Sequence, residues 1–244
     1  GSPDVNLLAA CAGGYTAATL LGHYQALGER KVNAITLLVT VLDSSAPTLM
    51  GLFSSPAAIA AAIKKSRAAG VLEGRDMARV FSWLRPNDLV WSFFANNWVM
   101  GNEPPAFDIL YWNSDTTRLP AELHADMLSL FQHNPLITKD RLEVLGTPID
   151  MGAVRCDAYV VAGITDHITP WKACYETHRV LKGAKLEFIL SSSGHIQSIV
   201  NPPGNDRAKF YSNPDLTLDA NAWLKAAKAH QGTWWDHWRG WIEQ

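Results

Sequence analysis

The feature that most constrains this chain is a strand that turns abruptly into a helix near its start. Val5–Ala10 is a short apolar run typical of a buried strand, the chain breaks at residues 11–14 (Cys-Ala-Gly-Gly), and a helical pattern continues to Leu27. A second apolar run, residues 34–40, predicts another buried strand, which ends near Asp43. Strand, helix and strand in this order predict parallel pairing within an α/β sheet.

The sheet pattern stops for a long stretch and later resumes. Residues 44–134 show helical patterns at 56–69, 74–84, 87–99 and 120–131, without a convincing strand. Strands are predicted again at 158–163 and 185–190, and helices at 220–230 and 233–243. We therefore expect three parts: residues 1–43 with the first strand, turn, helix and second strand; 44–134 as an inserted helical cap; and 135–244 as the rest of the α/β core.

Composition excludes several classes of protein. The chain of 244 residues is 48% hydrophobic and 18% charged, with a formal net charge of −2 and no basic run of the kind that binds nucleic acid. No stretch reaches the roughly 18 apolar residues of a transmembrane helix, and the first residues lack a signal pattern, so a cytoplasmic location is expected. The cysteines, Cys11, Cys156 and Cys174, have no CxxC or metal-ligand spacing, so neither disulfides nor a metal site is expected.

Tryptophan is unusually frequent, and its role has two interpretations. Ten tryptophans are present. Four of them lie near the end, at Trp234, Trp235, Trp238 and Trp241. They either pack a C-terminal helix onto the body or form a docking surface for an apolar partner. The aromatic residues of segment 44–134 suit either internal packing or an apolar substrate channel.

The tight turn at Cys11 is typical of a nucleophile elbow. That geometry lifts the nucleophile above the sheet and directs a backbone N–H, here that of Ala12, toward a developing oxyanion. Residues 9–13 supply the small side chains that such a turn requires, although Ala9 stands where the G-x-S/C-x-G pattern has its first glycine. From the turn alone, a small buried core cysteine is the favoured interpretation, and only the further residues below reverse it.

Two further residues complete a candidate catalytic triad. Asp166 and His195 each follow a predicted strand, in the order nucleophile, acid, histidine that α/β-hydrolases use. We expect His195 to take the proton of Cys11 and Asp166 to hold the imidazole. The competing interpretations are a solvated carboxylate that caps the following helix for Asp166, and a surface residue for His195. His167 is a candidate supporting group, alternative base or substrate contact, and Cys156 and Cys174 are predicted to be structural.

A series of sequence blocks runs through nearly the whole chain in a recognisable order. The blocks are residues 4–14, 72–77 (LEGRDM), 85–91 (RPNDLVW), 101–108 (GNEPPAFD), 166–171 (DHITPW), 193–196 (SGHI) and 201–204 (NPPG). In these blocks the chain resembles polyhydroxyalkanoate synthases, most closely the medium-chain-length type of pseudomonads. The resemblance implies an α/β-hydrolase-like, mostly parallel sheet with a helical cap.

The resemblance also implies an activity. Such enzymes are acyltransferases that polymerise (R)-3-hydroxyacyl-CoA into polyester with release of CoA, and they need no cofactor beyond the CoA of the substrate. Cys11 would carry the growing chain as a thioester and His195 would be the base, while Asp166 would orient His195 or act on the substrate hydroxyl. A homodimer at the surface of cytoplasmic polyester granules is implied as well.

Two departures from the family bear on activity. Ala9 replaces a glycine, and family members have a long region before the elbow that includes the first strands of the core. Those N-terminal strands are therefore expected to be missing from this chain, and its activity alone is in question. A cysteine-nucleophile thioesterase or hydrolase, and an inactive granule-binding fragment, are the alternative functions.

Overall fold

The computed structural model describes residues 2–48, 51, 54–84, 86–104, 111–112 and 115–244. Its strands are β1 (Val5–Ala10), β2 (Val32–Leu38), β3 (Val71–Leu72), β4 (Leu119–Pro120), β5 (Glu143–Val144), β6 (Thr147–Pro148), β7 (Asp157–Gly163), β8 (Leu186–Ser191), β9 (Lys209–Ser212) and β10 (Lys228–Gln231). Its α-helices are α1 (Ala12–Leu27), α2 (Pro56–Ala69), α3 (Gly74–Leu84), α4 (Ala121–His133), α5 (Trp171–Tyr175), α6 (Thr177–Val180), α7 (His195–Val200), α8 (Ala220–Ala226) and α9 (Trp235–Ile242). Short 3-10 turns lie at Pro135–Ile137 and Met151–Ala153, and π-helical segments at Asn87–Trp91 and Phe94–Val99.

A six-stranded sheet in the order β1-β2-β7-β8-β9-β10 forms the centre of the α/β part. The first four strands are parallel, whereas β9 pairs antiparallel with both β8 and β10. β7 is buried from Ala158 to Gly163, as expected for a central parallel strand that is covered on both faces. β1 forms as predicted, but it lies at the edge of the sheet and is half-exposed, so the prediction that it is a buried strand is wrong. The predicted α/β class with a mostly parallel sheet is confirmed.

Local capping signals explain why several helices begin and end where the sequence predicts. The side chain of Ser55 accepts a hydrogen bond from the N–H of Ala58 at the start of α2, and Pro56 occupies the first helical position. α1 and α2 end at Gly28 and Gly70, which both adopt the left-handed conformation of a helix C-cap. None of the helices in the described ranges has the length and apolar character needed to cross a bilayer.

The chain divides into two compact units, Gly1–Thr48 with His133–Gln244, and Leu49–Gln132. The first unit contains the six-stranded sheet. The second is mainly helical, and its α2 and α4 are joined by a two-pronged ion pair in which Arg67 donates to Glu122 at 2.9 and 2.7 Å. His124 Nδ1 lies 3.0 Å from Ser66 Oγ in the same unit. The assignment of residues 44–134 as a cap stays a prediction.

Three predicted elements differ from the structure. The predicted helix over residues 220–230 is wrong beyond Ala226, because Lys228–Gln231 forms β10 and pairs with β9, a strand that the pattern did not predict. His230 stacks on Phe210, its cross-strand partner, with ring centroids 4.6 Å apart, so pairing overrides the local helical pattern. Within residues 44–134, the two-residue strands β3 and β4 pair antiparallel. Residues 87–99 are helical as predicted but largely π-helical.

The tryptophans at the C-terminus pack onto the sheet. Trp234 is 1% exposed, and its indole N–H donates to the carbonyl of Ser198 at 2.7 Å. Trp238 donates to Thr36 Oγ1 of β2 at 2.8 Å, and the ring of Trp241 lies 5.1 Å from that of Tyr159. The interpretation that these residues pack a C-terminal helix onto the body is confirmed.

Candidate active site

The turn at Cys11 is a single strained residue between β1 and α1. Cys11 has φ 50° and ψ −123°, a conformation that residues with a side chain rarely adopt. Its N–H donates to the carbonyl of Leu38 at 2.8 Å, and its carbonyl accepts from Gly14 N at 3.0 Å and Thr40 Oγ1 at 3.2 Å. These bonds hold the backbone before and after Cys11 in the sharp strand-to-helix turn that is typical of a nucleophile elbow. The side chain is half-exposed, which disfavours the interpretation as a buried core cysteine.

Close packing at this turn depends on Gly14. A Cβ added to Gly14 would lie 2.1 Å from Thr40 Oγ1, whereas a Cβ on Gly13 would meet nothing within 4 Å. The N-terminal turn of α1 therefore approaches the end of β2 at Gly14. The sequence analysis expected residues 9–13 to supply the small side chains, because the elbow pattern has its second glycine at Gly13. It did not include Gly14, where the close contact lies.

Asp166 and His195 form a buried hydrogen-bonded pair. Asp166 lies in the loop after β7, and His195 is the first residue of α7, which follows β8. His195 Nδ1 is 2.7 Å from Asp166 Oδ2. The residues are 7% and 8% exposed, so the interpretations as a solvated carboxylate and a surface histidine are wrong. Asp166 does accept local N–H groups with its other oxygen, from Ile168 at 2.8 Å and Thr169 at 2.9 Å.

The electrostatics of the pair favour its ionised form. Burial by itself lowers the pKa of His195, but hydrogen bonds to Asp166 and Cys11, together with the negative charges of these groups, outweigh burial and raise that pKa to about 9. Burial opposes ionisation of Asp166 as well, yet its bonds with His195 and Thr169 and the charge of His195 hold its pKa below the usual value. The charged form of His195 is therefore well stabilised beside Asp166. Because Nδ1 of His195 faces Asp166, Nε2 is the nitrogen left for Cys11.

Thr169 belongs to this group, although sequence reasoning missed it. Its hydroxyl lies 2.7 Å from Asp166 Oδ2 and 3.1 Å from His195 Nδ1, and its side chain is buried. The hydroxyl therefore donates to the same carboxylate oxygen that binds the imidazole. The signal was present in the sequence, since an Asp followed three residues later by Thr at the start of a helical segment is typical of a carboxylate that binds its own loop.

The other two cysteines have environments that suppress the thiolate. Cys174 is fully buried, its Sγ is 3.6 Å from the carbonyl of Thr169, and burial raises the pKa of its thiol far above the ordinary value. Burial and the nearby charge of Asp157 raise the pKa of Cys156 to about 11. Both are therefore poor nucleophiles near neutral pH.

Two further predicted residues, Ala12 and His167, are chain neighbours of Cys11 and Asp166. Ala12 is the first residue of α1, so its N–H has no acceptor within the helix and is free to face an oxyanion. His167 is partly exposed in the loop beside Asp166. The roles of Ala12 and His167 stay predictions. In the described ranges, no group of three or more His, Cys, Asp or Glu residues is placed to hold a metal ion.

Comparison with known proteins identifies the fold family. The family model described as alpha/beta hydrolase fold matches residues 1–202, which are most of the chain. The chain belongs to the α/β-hydrolase fold family. Strand β1, the turn at Cys11, the loop that carries Asp166 and the start of α7 at His195 all fall within the matched residues.

Two curated relatives are similar over almost the whole chain. Poly(3-hydroxyalkanoate) polymerase 1 of Ectopseudomonas oleovorans is 54% identical over 242 residues, which are 99% of this chain and 43% of that protein. Poly(3-hydroxyalkanoate) polymerase 2 of the same organism is 51% identical over 243 residues, with the same coverage of 99% and 43%. The resemblance to polyhydroxyalkanoate synthases of the pseudomonad type is confirmed. The chain spans less than half the length of these relatives.

Solved structures give a weaker similarity. The putative non-heme bromoperoxidase BpoC of Mycobacterium tuberculosis is 14% identical to this chain, with a TM-score of 0.43. The alignment covers 79% of this chain and 60% of that one.

Proposed function

We propose that this chain is the nucleophile-bearing part of a polyester synthase, an acyltransferase that polymerises (R)-3-hydroxyacyl-CoA and releases CoA. The observation that carries the proposal is the strained turn at Cys11 together with the buried, hydrogen-bonded Asp166–His195 pair. The similarity to two polymerases over nearly the whole chain supports the choice of substrate.

The arrangement supports a two-stage acyl transfer. His195 takes the thiol proton of Cys11 through Nε2, and the resulting thiolate attacks the thioester carbonyl of the substrate. The CoA sulfur leaves and takes the proton from His195, so that the acyl group remains on Cys11 as a thioester. The 3-hydroxyl of another (R)-3-hydroxyacyl-CoA then gives its proton to His195 and attacks the acyl thioester on Cys11, so that the ester bond forms and the Cys11 thiolate leaves and recovers the proton. The lengthened chain, now a CoA thioester, returns to Cys11 by the first stage with release of CoA. The N–H of Ala12 is proposed to stabilise the oxyanion in each step.

Asp166 is proposed to orient His195 and stabilise its charged form. Both carboxylate oxygens are already engaged, Oδ2 by His195 and Thr169 and Oδ1 by the N–H groups of Ile168 and Thr169. This set of bonds favours an orienting role over direct action on the substrate hydroxyl, because the lone pairs are directed into the loop.

Location and assembly follow from the product and the resemblance. The polyester is insoluble in water and stays attached to Cys11 during growth, so we propose that the enzyme works at the surface of cytoplasmic granules. A homodimer is proposed from the resemblance alone. His167, beside Asp166, is proposed to contact the substrate.

The decisive experiment compares Cys11→Ala with Cys156→Ala, a matched control whose thiol lies outside the Asp166–His195 pair. Each protein is given (R)-3-hydroxydecanoyl-CoA, and released CoA and polymer are measured by chromatography. We expect Cys11→Ala to lose at least about 10³-fold of the rate and the control to keep it. Equal polymer formation by both variants would refute Cys11 as nucleophile.

The products separate the remaining alternatives. Free 3-hydroxydecanoate without polymer would indicate a thioesterase. Binding to isolated polyester granules, with no CoA release by the parent protein, would indicate a non-catalytic granule-binding fragment.

A further inference from the structure

The helical unit contains a pocket that the proposed chemistry does not use. It has a volume of about 430 Å³, within the roughly 300–1,000 Å³ typical of small-molecule sites. Its walls are mostly apolar and are formed by Trp83, Pro86, Val90 and Trp91. Because neither Cys11, Asp166 nor His195 lines it, binding there can be measured independently of turnover.

Two large aromatic side chains of this pocket are unusually exposed. Trp83 is 67% and Trp91 is 55% exposed. Tryptophan usually buries most of its surface, so exposed rings on the walls of a cavity leave apolar area that a ligand would cover. An alkyl chain laid along these rings would gain stability by removing that area from water.

The lining of the same pocket also includes two positively charged side chains. Arg75 and Arg79 lie four residues apart on α3, which places them on one face of the helix, and both line the pocket. Arg79 is 3.3 Å from Asp76 Oδ1, but Lys65 binds the other oxygen of Asp76 at 2.6 Å, so this carboxylate is shared between two cations. Arg75 is exposed, and it makes no ion pair with any residue that the structure describes.

From this combination we infer that the pocket binds an amphipathic anion, an alkyl chain that carries a carboxylate or phosphate head. The two guanidinium groups are neighbouring like charges, which repel each other until an anion lies between them. Guanidinium groups bind carboxylate and phosphate through paired hydrogen bonds, while the tryptophan walls hold the chain. Two sources share this chemistry, a free fatty acid and the acyl-CoA class of molecule. The inference stands whether or not Cys11 is a nucleophile.

The test measures binding by isothermal titration calorimetry, with sodium dodecanoate below its micelle concentration. Dodecyltrimethylammonium supplies the same chain with the opposite charge, and acetate supplies the anion without the chain. We expect dodecanoate to bind at least about tenfold more tightly than either. Competition by dodecanoyl-CoA would identify an acyl-CoA as the source, and failure of that competition would identify a free carboxylate.

Variants locate the site. Arg75→Gln with Arg79→Gln, and separately Trp91→Ala, should each weaken dodecanoate binding by about tenfold. Arg30→Gln, the same change at an exposed position in the other unit, should leave it unchanged. Circular dichroism before titration shows that each variant keeps its helices.

Three results would overturn the inference. One is equal binding of dodecanoate and dodecyltrimethylammonium, and another is unchanged affinity in the double arginine variant. The third is absence of dodecanoate binding, and sedimentation velocity would then show whether Trp91→Ala converts a dimer to a monomer. In that case the apolar walls would belong to a contact between copies of the chain.

Discussion

At the scale of single residues, the ionised pair of Asp166 and His195 governs both reactivity and pH response. The pKa of His195 rises from 6.5 to about 9 because its bonds and charge interactions outweigh burial. A raised histidine pKa stabilises the folded protein fully below 6.5, and this stabilisation is lost as the pH rises through about 9. The pH dependence from Asp166 has the opposite sign. Its lowered pKa stabilises the folded protein above the ordinary value of 3.8, and this stabilisation is lost as the pH falls through the lowered pKa.

Asp166→Asn should therefore lower the stability of the folded protein most near neutral pH. We expect a loss of about 2 kcal/mol in unfolding free energy at about pH 6.5, which shrinks as the pH rises past about 9. The rate should fall by about 10² to 10⁴-fold, because the imidazole loses its partner. Urea unfolding across this pH range measures the first effect. Asp157→Asn, the same change at an exposed position, is the control; a pH-independent difference between the two variants would contradict the ion pair.

The hydroxyl of Thr169 should lower the pKa of Asp166 through its bond to Oδ2. Thr169→Val keeps the shape and the backbone N–H to Asp166 but removes the 2.7 Å hydroxyl bond to Oδ2. Because that bond lowers the pKa of Asp166, we expect the acidic limb of the pH–rate profile to move to higher pH. The rate should also fall by about tenfold at its optimum. Thr169→Ser should restore both values, and a profile unchanged in Thr169→Val would show that the hydroxyl has no role in positioning.

At the scale of elements, the junction of α1 with β2 depends on one glycine. Gly14→Ala would place a methyl group on Thr40, whose hydroxyl binds the carbonyl of Cys11. We expect a loss of about 1–3 kcal/mol in unfolding free energy and a lower rate, since the turn at Cys11 must shift. Gly13→Ala, the matched control, has open space and should gain about 0.5–1 kcal/mol from helix propensity. Chemical denaturation of both variants measures the unfolding free energy. Equal changes in Gly14→Ala and Gly13→Ala would contradict the close contact between Gly14 and Thr40.

What the sequence predicts well at this scale is what neighbouring residues determine. β1 and α1 lie where the pattern placed them, and α2 and α3 agree at both ends, because caps and turn residues such as Ser55 and Gly70 act locally. β10 was missed because residues 228–231 become a strand only by pairing with β9, a contact between distant segments. For Thr169, the local spacing indicates only its bond to Asp166, whereas its contact with His195 requires the end of β7 to lie beside the end of β8.

At the scale of the whole molecule, the last helix is coupled to the helix that begins with His195. Trp234, just before α9, is buried and donates its indole N–H to the carbonyl of Ser198 in α7. Residues far apart in the chain therefore share one hydrogen bond near the candidate active site. The local pattern predicted α9 but placed His195 in a loop, so it predicted neither α7 nor this bond, which exists only once the sheet has brought the C-terminus onto α7.

Trp234→Phe tests that coupling, because it keeps an aromatic ring in the core and removes the N–H that binds Ser198. We expect a loss of about 1–2 kcal/mol in unfolding free energy and a reduced rate of CoA release, since α7 would lose a bond that holds His195 in place. Trp241→Phe is the control, because the ring of Trp241 packs against Tyr159 and its indole N–H makes no hydrogen bond that the structure describes. Denaturant unfolding and turnover are measured on the same preparations. If both variants lose stability equally while Trp234→Phe keeps full activity, the helix packs the core without positioning His195.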